Sequence, residues 1–76
     1  QIKTEVVELL EYLNEQWKIL RNQCEASNMD VTDSRFVGID GTMSEINDNL
    51  EAGMYEKCFL QLSHLDEMME SLRREV

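Results

Sequence analysis

Glutamates in the first third of the chain have the spacing that a metal-binding helix would use. Glu5, Glu8, Glu11 and Glu15 follow one another at steps of 3, 3 and 4 residues, so they share one face of a helix. Such carboxylates bind two metal ions in helical bundles when they point inward and meet Glu-x-x-His motifs on partner helices. The single histidine, His64, has glutamine where this motif needs glutamate. We therefore interpret the row as a solvated face and predict no metal site.

The cysteines offer a second kind of chemistry. Cys24 and Cys58 form no Cys-x-x-Cys pair, and two thiols alone make no convincing zinc site. They are either small core hydrophobes or the halves of one disulfide, which would indicate an oxidising compartment. In an antiparallel three-helix arrangement Cys24 faces the later part of the third helix, which disfavours a disulfide within one chain.

Other motifs that would support catalysis or phosphate binding are incomplete. No serine lies in a Gly-x-Ser-x-Gly context, and the segment 38–41, Gly-Ile-Asp-Gly, lacks the further glycine and lysine of a phosphate loop. Asp30, Asp33 and Asp40 do not have the spacing of a calcium loop. No nucleophile or second base can be placed near His64. We therefore predict no catalytic residue, no cofactor and no enzymatic activity.

Composition restricts the class of protein to a small, acidic, helical domain. The 76 residues make one domain, 1–76, and their lack of proline favours helices. Seven basic against 16 acidic residues give a net charge of -9, which argues against binding nucleic acid or an anionic membrane. No run of about 18 apolar residues is present, so we expect no direct membrane insertion by these residues. Because the chain begins with Gln1 and not methionine, we expect a trimmed or processed fragment.

Apolar residues recur at helical spacing in three segments. These stripes predict helices at about 3–25, 33–52 and 54–74. They indicate an all-α fold, an antiparallel three-helix bundle in which a helical hairpin packs on a long N-terminal helix. The predicted core consists of Val6, Leu9, Leu13, Trp17, Leu20, Phe36, Ile39, Met43, Ile46, Leu50, Phe59, Leu62, Leu65, Met69 and Leu72.

Local signals predict where these helices begin and end. Asn28 and Gly53 are the residues expected in a left-handed conformation just past the first and second helices. Asp30, Thr32 and Asp33 compete as N-cap of the second helix. The glycines at 38 and 41 weaken that helix, and a capping-box pattern at 42–45 is an alternative start. We favour one helix, weakened or kinked near the glycines, which permit close helix–helix approach.

The apolar faces of the first and third helices are wider than a three-helix chain needs. We predict that the surplus forms an interaction surface, because wide apolar faces are hard to bury within so small a chain. The residues assigned to this surface are Leu10, Tyr12, Tyr55, Leu60 and Met68. The expected partner is a second copy of the chain, giving a homodimer, or another helical protein.

One broad resemblance accompanies these patterns. Trp17, Asp40, Glu45-Ile46 and Leu50, followed by a terminal hairpin that ends near Glu75, resemble an uncharacterised family of small Gram-positive bacterial proteins. That family carries an N-terminal membrane anchor and a helical external part of unknown activity. The resemblance implies an extracytoplasmic location and no catalytic residues; without it, the cytoplasm is expected.

These observations lead to one principal functional hypothesis and one alternative. The principal hypothesis is a non-enzymatic helical protein–protein interaction module that self-associates. The alternative is an accessory or sensor domain that binds a small ligand or a cation between helices. If the resemblance holds, this domain is the external part of a membrane-anchored protein. Its distinguishing feature would be a closed cavity lined by Trp17 and methionines.

Overall fold

The fold is all-α, as the apolar stripes predict. The computed structural model describes residues 2–30 and 32–75, and these form α1 (Ile2–Ala26), α2 (Ser34–Glu51) and α3 (Tyr55–Glu75). Each predicted helix end lies one residue from the observed end. The three helices pack as a bundle with principal extents of 40 × 18 × 15 Å.

The helix α3 is the central element of the bundle. It packs against both other helices, whereas no Cα atom of α1 lies within 8 Å of a Cα atom of α2 among the described residues. Ile2 lies beside Tyr55 and Leu20 beside Arg73, so α1 runs parallel to α3. The chain therefore goes up, down and up, with α2 antiparallel to its neighbours.

The core is one cluster of side chains from all three helices. Its buried members are Val6, Leu10, Leu13, Trp17, Leu20, Cys24, Phe36, Ile39, Met43, Ile46, Cys58, Leu62, Leu65, Met69 and Leu72. Leu50 and Phe59, which were predicted as full core members, are only partly buried and pack against its edge. Both cysteines belong to the core as free thiols.

The prediction that Leu9 lies in the core and Leu10 on the surface is wrong. Leu9 is 41% exposed and Leu10 is 9% exposed. The sequence allows either choice, because neighbouring leucines lie on the two sides of the same stripe. The position of α2 decides between them, since Leu10 faces Met43 and Leu50 of that helix.

The links between helices are closed by local hydrogen bonds, as predicted. Asn28 (φ 64°) and Gly53 (φ 78°) both adopt the left-handed conformation. At the end of α1 the Met29 amide donates to the Cys24 carbonyl at 3.0 Å, and the Asn28 amide donates to the backbone carbonyl of Glu25 at 3.0 Å. The same pair of bonds ends α2, so both helices terminate in a Schellman motif.

The start of α2 selects one of the competing caps. The Asp33 carboxylate accepts a hydrogen bond from the Arg35 amide at 2.9 Å and is the N-cap. The Asp30 carboxylate instead accepts from the Thr32 amide within the link. A helix start at 42–45 is not observed, because α2 continues through that segment.

The glycines of α2 do not interrupt the helix. A methyl group added at Gly38 would meet the Met68 Cε atom at 3.3 Å, so this glycine does permit close approach of α2 to α3. Gly41 has nothing within 4 Å of the corresponding position, and the predicted close approach is wrong there. Hence only Gly38 has a packing role.

Trp17 connects α1 to α2 across the gap between their backbones. Its indole Nε1 donates to the Asp40 carboxylate at 2.8 Å, and its ring centroid lies 5.4 Å from that of Phe36. Both rings are buried. The aromatic pair therefore occupies part of the space between α1 and α2, and a cleft of about 280 Å³ beside Leu10 and Met43 remains open between them.

Candidate functional site

The structure separates the residues predicted to form one interaction surface. Tyr12 and Tyr55 line neighbouring parts of the outer boundary between α1 and α3. Leu10 lies in the core, so its assignment to the surface is wrong. Met68 is partly buried between α2 and α3, and Leu60 is 75% exposed on the outer side of α3. These side chains do not form one patch.

A different apolar stripe does follow the outer face of α1. Ile2, Leu9, Tyr12 and Ile19 are all exposed, and they succeed one another at steps of 7, 3 and 7 residues. Such steps keep side chains on one side of a helix. The distance from Ile2 to Ile19 along the axis is about 25 Å, from the rise of about 1.5 Å per residue. This spacing was available in the sequence and was missed there.

The stripe lies beside the aromatic residues of α3. Leu9 and Tyr12 form one wall of a cleft of about 290 Å³, whose other residues include Phe59 and the buried floor of Leu13 and Leu62. We call this surface the α1–α3 groove and define it by Ile2, Leu9, Tyr12, Ile19, Tyr55 and Phe59. It is open to solvent along its outer side.

The rim of the α1–α3 groove is acidic over most of its length. Asp66 lines the cleft beside Tyr12, and Glu56 lies next to Tyr55. On α1, Glu5 lies three residues after Ile2 and four before Leu9, so helical spacing puts its carboxylate between them in the stripe. Glu8 lies four residues before Tyr12, at the edge of the stripe. None of these carboxylates has a Lys or Arg partner within 4.0 Å among the described side chains.

Cations are fewer along the same groove. Lys57 lies near its Tyr55 end. Arg73 lies near its Ile19 end and is paired with Glu70. The stretch between these two ends presents an apolar floor with negative charge on both sides.

The boundary between α2 and α3 is joined by polar side chains instead. The Asn49 amide donates to the Gln61 side-chain oxygen at 2.6 Å, and the Gln61 amide donates to Glu45 at 3.2 Å. At the far end Arg35 donates to Glu75. The Cys58 thiol donates to the Ile46 carbonyl at 3.6 Å. No side-chain hydrogen bond or ion pair joins α1 to α3 within residues 2–30 and 32–75.

An open cleft of about 310 Å³ on the α2–α3 side is the place where chemistry would be sought first. Its walls include Arg35, His64, Glu67 and Ser71. Arg35, however, is held by Asp33 and Glu75, and its hydrogen bonds lower the pKa of Asp33 to about 2. The Arg35 guanidinium is therefore already paired with carboxylates. Ser71 has no general base bonded to it among the described residues.

The thiols are unsuited to nucleophilic chemistry. Burial raises the pKa of the Cys24 thiol, and burial likewise raises that of Cys58. A thiol with a raised pKa is protonated at neutral pH, and only the thiolate is a strong nucleophile. Both side chains are also closed off from solvent. We therefore assign them to packing.

In the described part of the chain, no three His, Cys, Asp or Glu side chains group so that they would hold a metal ion. None of α1, α2 and α3 combines the length and the apolar character that crossing a bilayer requires. Trp17 packs in the core and does not line the clefts described above.

No protein-family model matches this chain, and comparison with curated proteins and with solved structures gives no match. The resemblance to small membrane-anchored proteins of Gram-positive bacteria therefore stays a prediction.

Proposed function

We propose that this protein is a non-enzymatic helical interaction module that binds the apolar face of another helix in the α1–α3 groove. The observation that carries the proposal is the stripe of Ile2, Leu9, Tyr12 and Ile19 beside Tyr55 and Phe59. A groove of this kind accepts an amphipathic helix whose apolar residues recur at i, i+3, i+4 and i+7.

Several features of the groove support helix binding over a role in folding alone. Leu9 and Tyr12 are exposed, and Tyr55 and Phe59 pack against the core while keeping part of their surface open to solvent. Exposed apolar residues that stand alone, such as Leu60 and Val37, need no explanation, but several that recur along one helix face do, even with Glu5 and Gln16 between them. At the α2–α3 boundary, hydrogen bonds close the end at Asn49 and Gln61 and would have to break before a helix entered there. The open cleft further along that boundary has the paired Arg35 in its wall.

Self-association is the form of this function that the sequence suggests first, and it stays a prediction. Two copies can bury their grooves against each other or exchange helices. Sedimentation equilibrium at micromolar to high micromolar concentration measures it directly. A dimer that Tyr12→Asp weakens, and that Leu60→Asp does not, would place the contact in the groove.

The proposal as a whole is tested with a neutral amphipathic peptide of about 18 residues built from leucine and glutamine, long enough to cover the stripe. We expect amide chemical shifts of Leu9, Tyr12 and Phe59 to change on titration, and Tyr12→Asp to abolish the change. Leu60→Asp is the matched control, since it adds the same charge to an exposed apolar site outside the groove. Chemical-shift changes that are the same in the Tyr12→Asp variant would refute the proposed interaction module. A protein that stays monomeric and binds no helix would refute it too.

A further inference from the structure

The charge around the α1–α3 groove indicates which kind of helix it takes. We propose that the occupant is a basic amphipathic helix of another protein, whose lysine or arginine side chains pair with the acidic rim. This inference rests on the proposed function, because it names the partner class for the same groove.

The rim carries the first argument. Glu56 and Asp66 line the groove, and helical spacing puts Glu5 within the α1 stripe and Glu8 at its edge. No Lys or Arg lies within 4.0 Å of these carboxylates among the described residues. A helix that lies in the groove brings its flanking positions next to these groups. Lysine or arginine there gains favourable electrostatic energy, whereas glutamate or aspartate is repelled.

The net charge carries the second argument. Each copy of the chain has a net charge of -9, so two copies repel each other at long range. Groove-to-groove contact would also bring one acidic rim against the other. Electrostatic complementarity therefore favours a basic helix over a second copy, although the apolar floor suits both.

The length of the stripe and the position of its acidic residues indicate where the bound helix carries its cations. The stripe from Ile2 to Ile19 spans about 25 Å, the length of a helix of about 17 residues. Glu5, Glu8, Asp66 and Glu56 flank its first two thirds, whereas the Glu70–Arg73 pair lies near the Ile19 end. We thus expect the bound helix to carry its cations mainly opposite the Ile2–Tyr12 part of the groove.

The test compares two labelled helical peptides of about 18 residues, one built from leucine and lysine and the other from leucine and glutamate. Fluorescence anisotropy should show binding of the lysine peptide and at least about tenfold weaker binding of the glutamate peptide at low salt. Raising the salt from about 50 mM to about 300 mM should reduce this difference, because exposed charges are screened.

Charge-reversal variants separate groove binding from general attraction to an acidic protein. Asp66→Lys should weaken binding of the lysine peptide about threefold to tenfold. Glu67→Lys makes the same change of charge one residue away, on the α2–α3 side, and should change binding by less than about twofold. Equal losses in both variants would overturn the proposal, since the attraction would then depend on net charge alone.

Other outcomes distinguish the partner class from the module itself. If the neutral leucine–glutamine peptide binds as well as the lysine peptide and Tyr12→Asp weakens both, the groove binds helices but the basic partner is refuted. A dimer that Tyr12→Asp disrupts and that excludes the lysine peptide would refute the basic partner in the same way. If Tyr12→Asp affects neither peptide, both the proposed function and this inference fail.

Discussion

The two boundaries that α3 makes with its neighbours are built differently. Between α2 and α3, Asn49, Gln61 and Glu45 form a hydrogen-bonded row, and Arg35 joins Glu75 at one end. Between α1 and α3 the described residues make no such bond, and apolar side chains reach the outer surface instead. The α2–α3 boundary is bonded by polar side chains toward both ends, and we call it the sealed boundary, although the cleft beside Arg35 and His64 opens on it. The other boundary is an apolar groove that no such bond crosses.

The difference separates structural from functional surface. A polar row that satisfies its own hydrogen bonds fixes the register of two helices and gains little from a further partner. Contact between an apolar row and water is unfavourable, so a partner that displaces this water lowers the free energy of the complex. An amphipathic helix such as α3 can therefore be fixed by polar bonds to one neighbour and leave an apolar groove available at its boundary with the other.

The largest expected effect comes from removing packing that both boundaries share. Leu65 lies on the buried face of α3 and is fully enclosed. Leu65→Ala should destabilise the protein by about 2–5 kcal/mol, because it deletes buried methyl groups and leaves a cavity. Leu9→Ala, in the open groove, should cost about 1 kcal/mol or less. Urea unfolding followed by circular dichroism measures both, and equal losses would contradict the description of the groove as open.

The link from Trp17 to Asp40 should be next in size. Asp40→Ala leaves the buried indole N–H without its acceptor, which should cost about 1–3 kcal/mol. Asp48→Ala removes a carboxylate of the same helix that makes no side-chain hydrogen bond among the described residues, and it should change stability by less than about 0.5 kcal/mol. Similar unfolding curves for the two variants would show that the bond does not hold α1 to α2.

The sealed boundary is tested by a double-mutant cycle. Asn49→Ala and Gln61→Ala should show a coupling free energy of about 0.5–1.5 kcal/mol, because their side chains are bonded across the boundary. Tyr12→Phe and Ser63→Ala form the matching cycle across the groove, where the two side chains line one cleft without a bond. Its coupling should be close to zero, and a comparable value would remove the contrast between the boundaries.

The glycines of α2 give a smaller effect of opposite sign. Gly41→Ala should stabilise the protein by about 0.5–1 kcal/mol, because alanine favours the helix and the added methyl group meets nothing within 4 Å. Gly38→Ala should gain less, since its methyl group would lie 3.3 Å from Met68 Cε on the sealed side. Thermal unfolding of both variants compares them, and the opposite order would contradict the tight fit at Gly38.

Acid should weaken the start of α2 slightly. Hydrogen bonds from the Arg35 side chain and backbone hold the pKa of Asp33 at about 2, below its ordinary value of 3.8. A lowered pKa means that this contribution to stability is present above pH 3.8 and is lost as the pH falls through about 2. The effect should be small because the carboxylate is open to solvent, which screens it.

A carbon-13 NMR titration of the Asp33 carboxyl measures that pKa. We expect a midpoint near 2 in the unaltered protein and a midpoint closer to 3.8 in Arg35→Gln. A midpoint near 3.8 in both proteins would show that Arg35 does not hold the carboxylate.

Much of the fold follows from local features of the sequence. The helix ends were predictable because Asn28, Gly53 and Asp33 act on backbone groups within a few residues of themselves. The three stripes were predictable because helical spacing repeats along each segment. These features determine an all-α chain that reverses direction twice.

The tertiary structure alone decided which apolar side chains are buried in the core and which stay exposed to solvent. Leu9 and Leu10 are equally suited to the core by type and spacing, and the position of α2 buries only Leu10. The sealed boundary depends on pairs such as Arg35 with Glu75, and the link between α1 and α2 depends on Trp17 with Asp40. The members of each pair lie far apart in the chain. Local periodicity carries no information on such pairs, because they form only when the helices have taken their positions around α3.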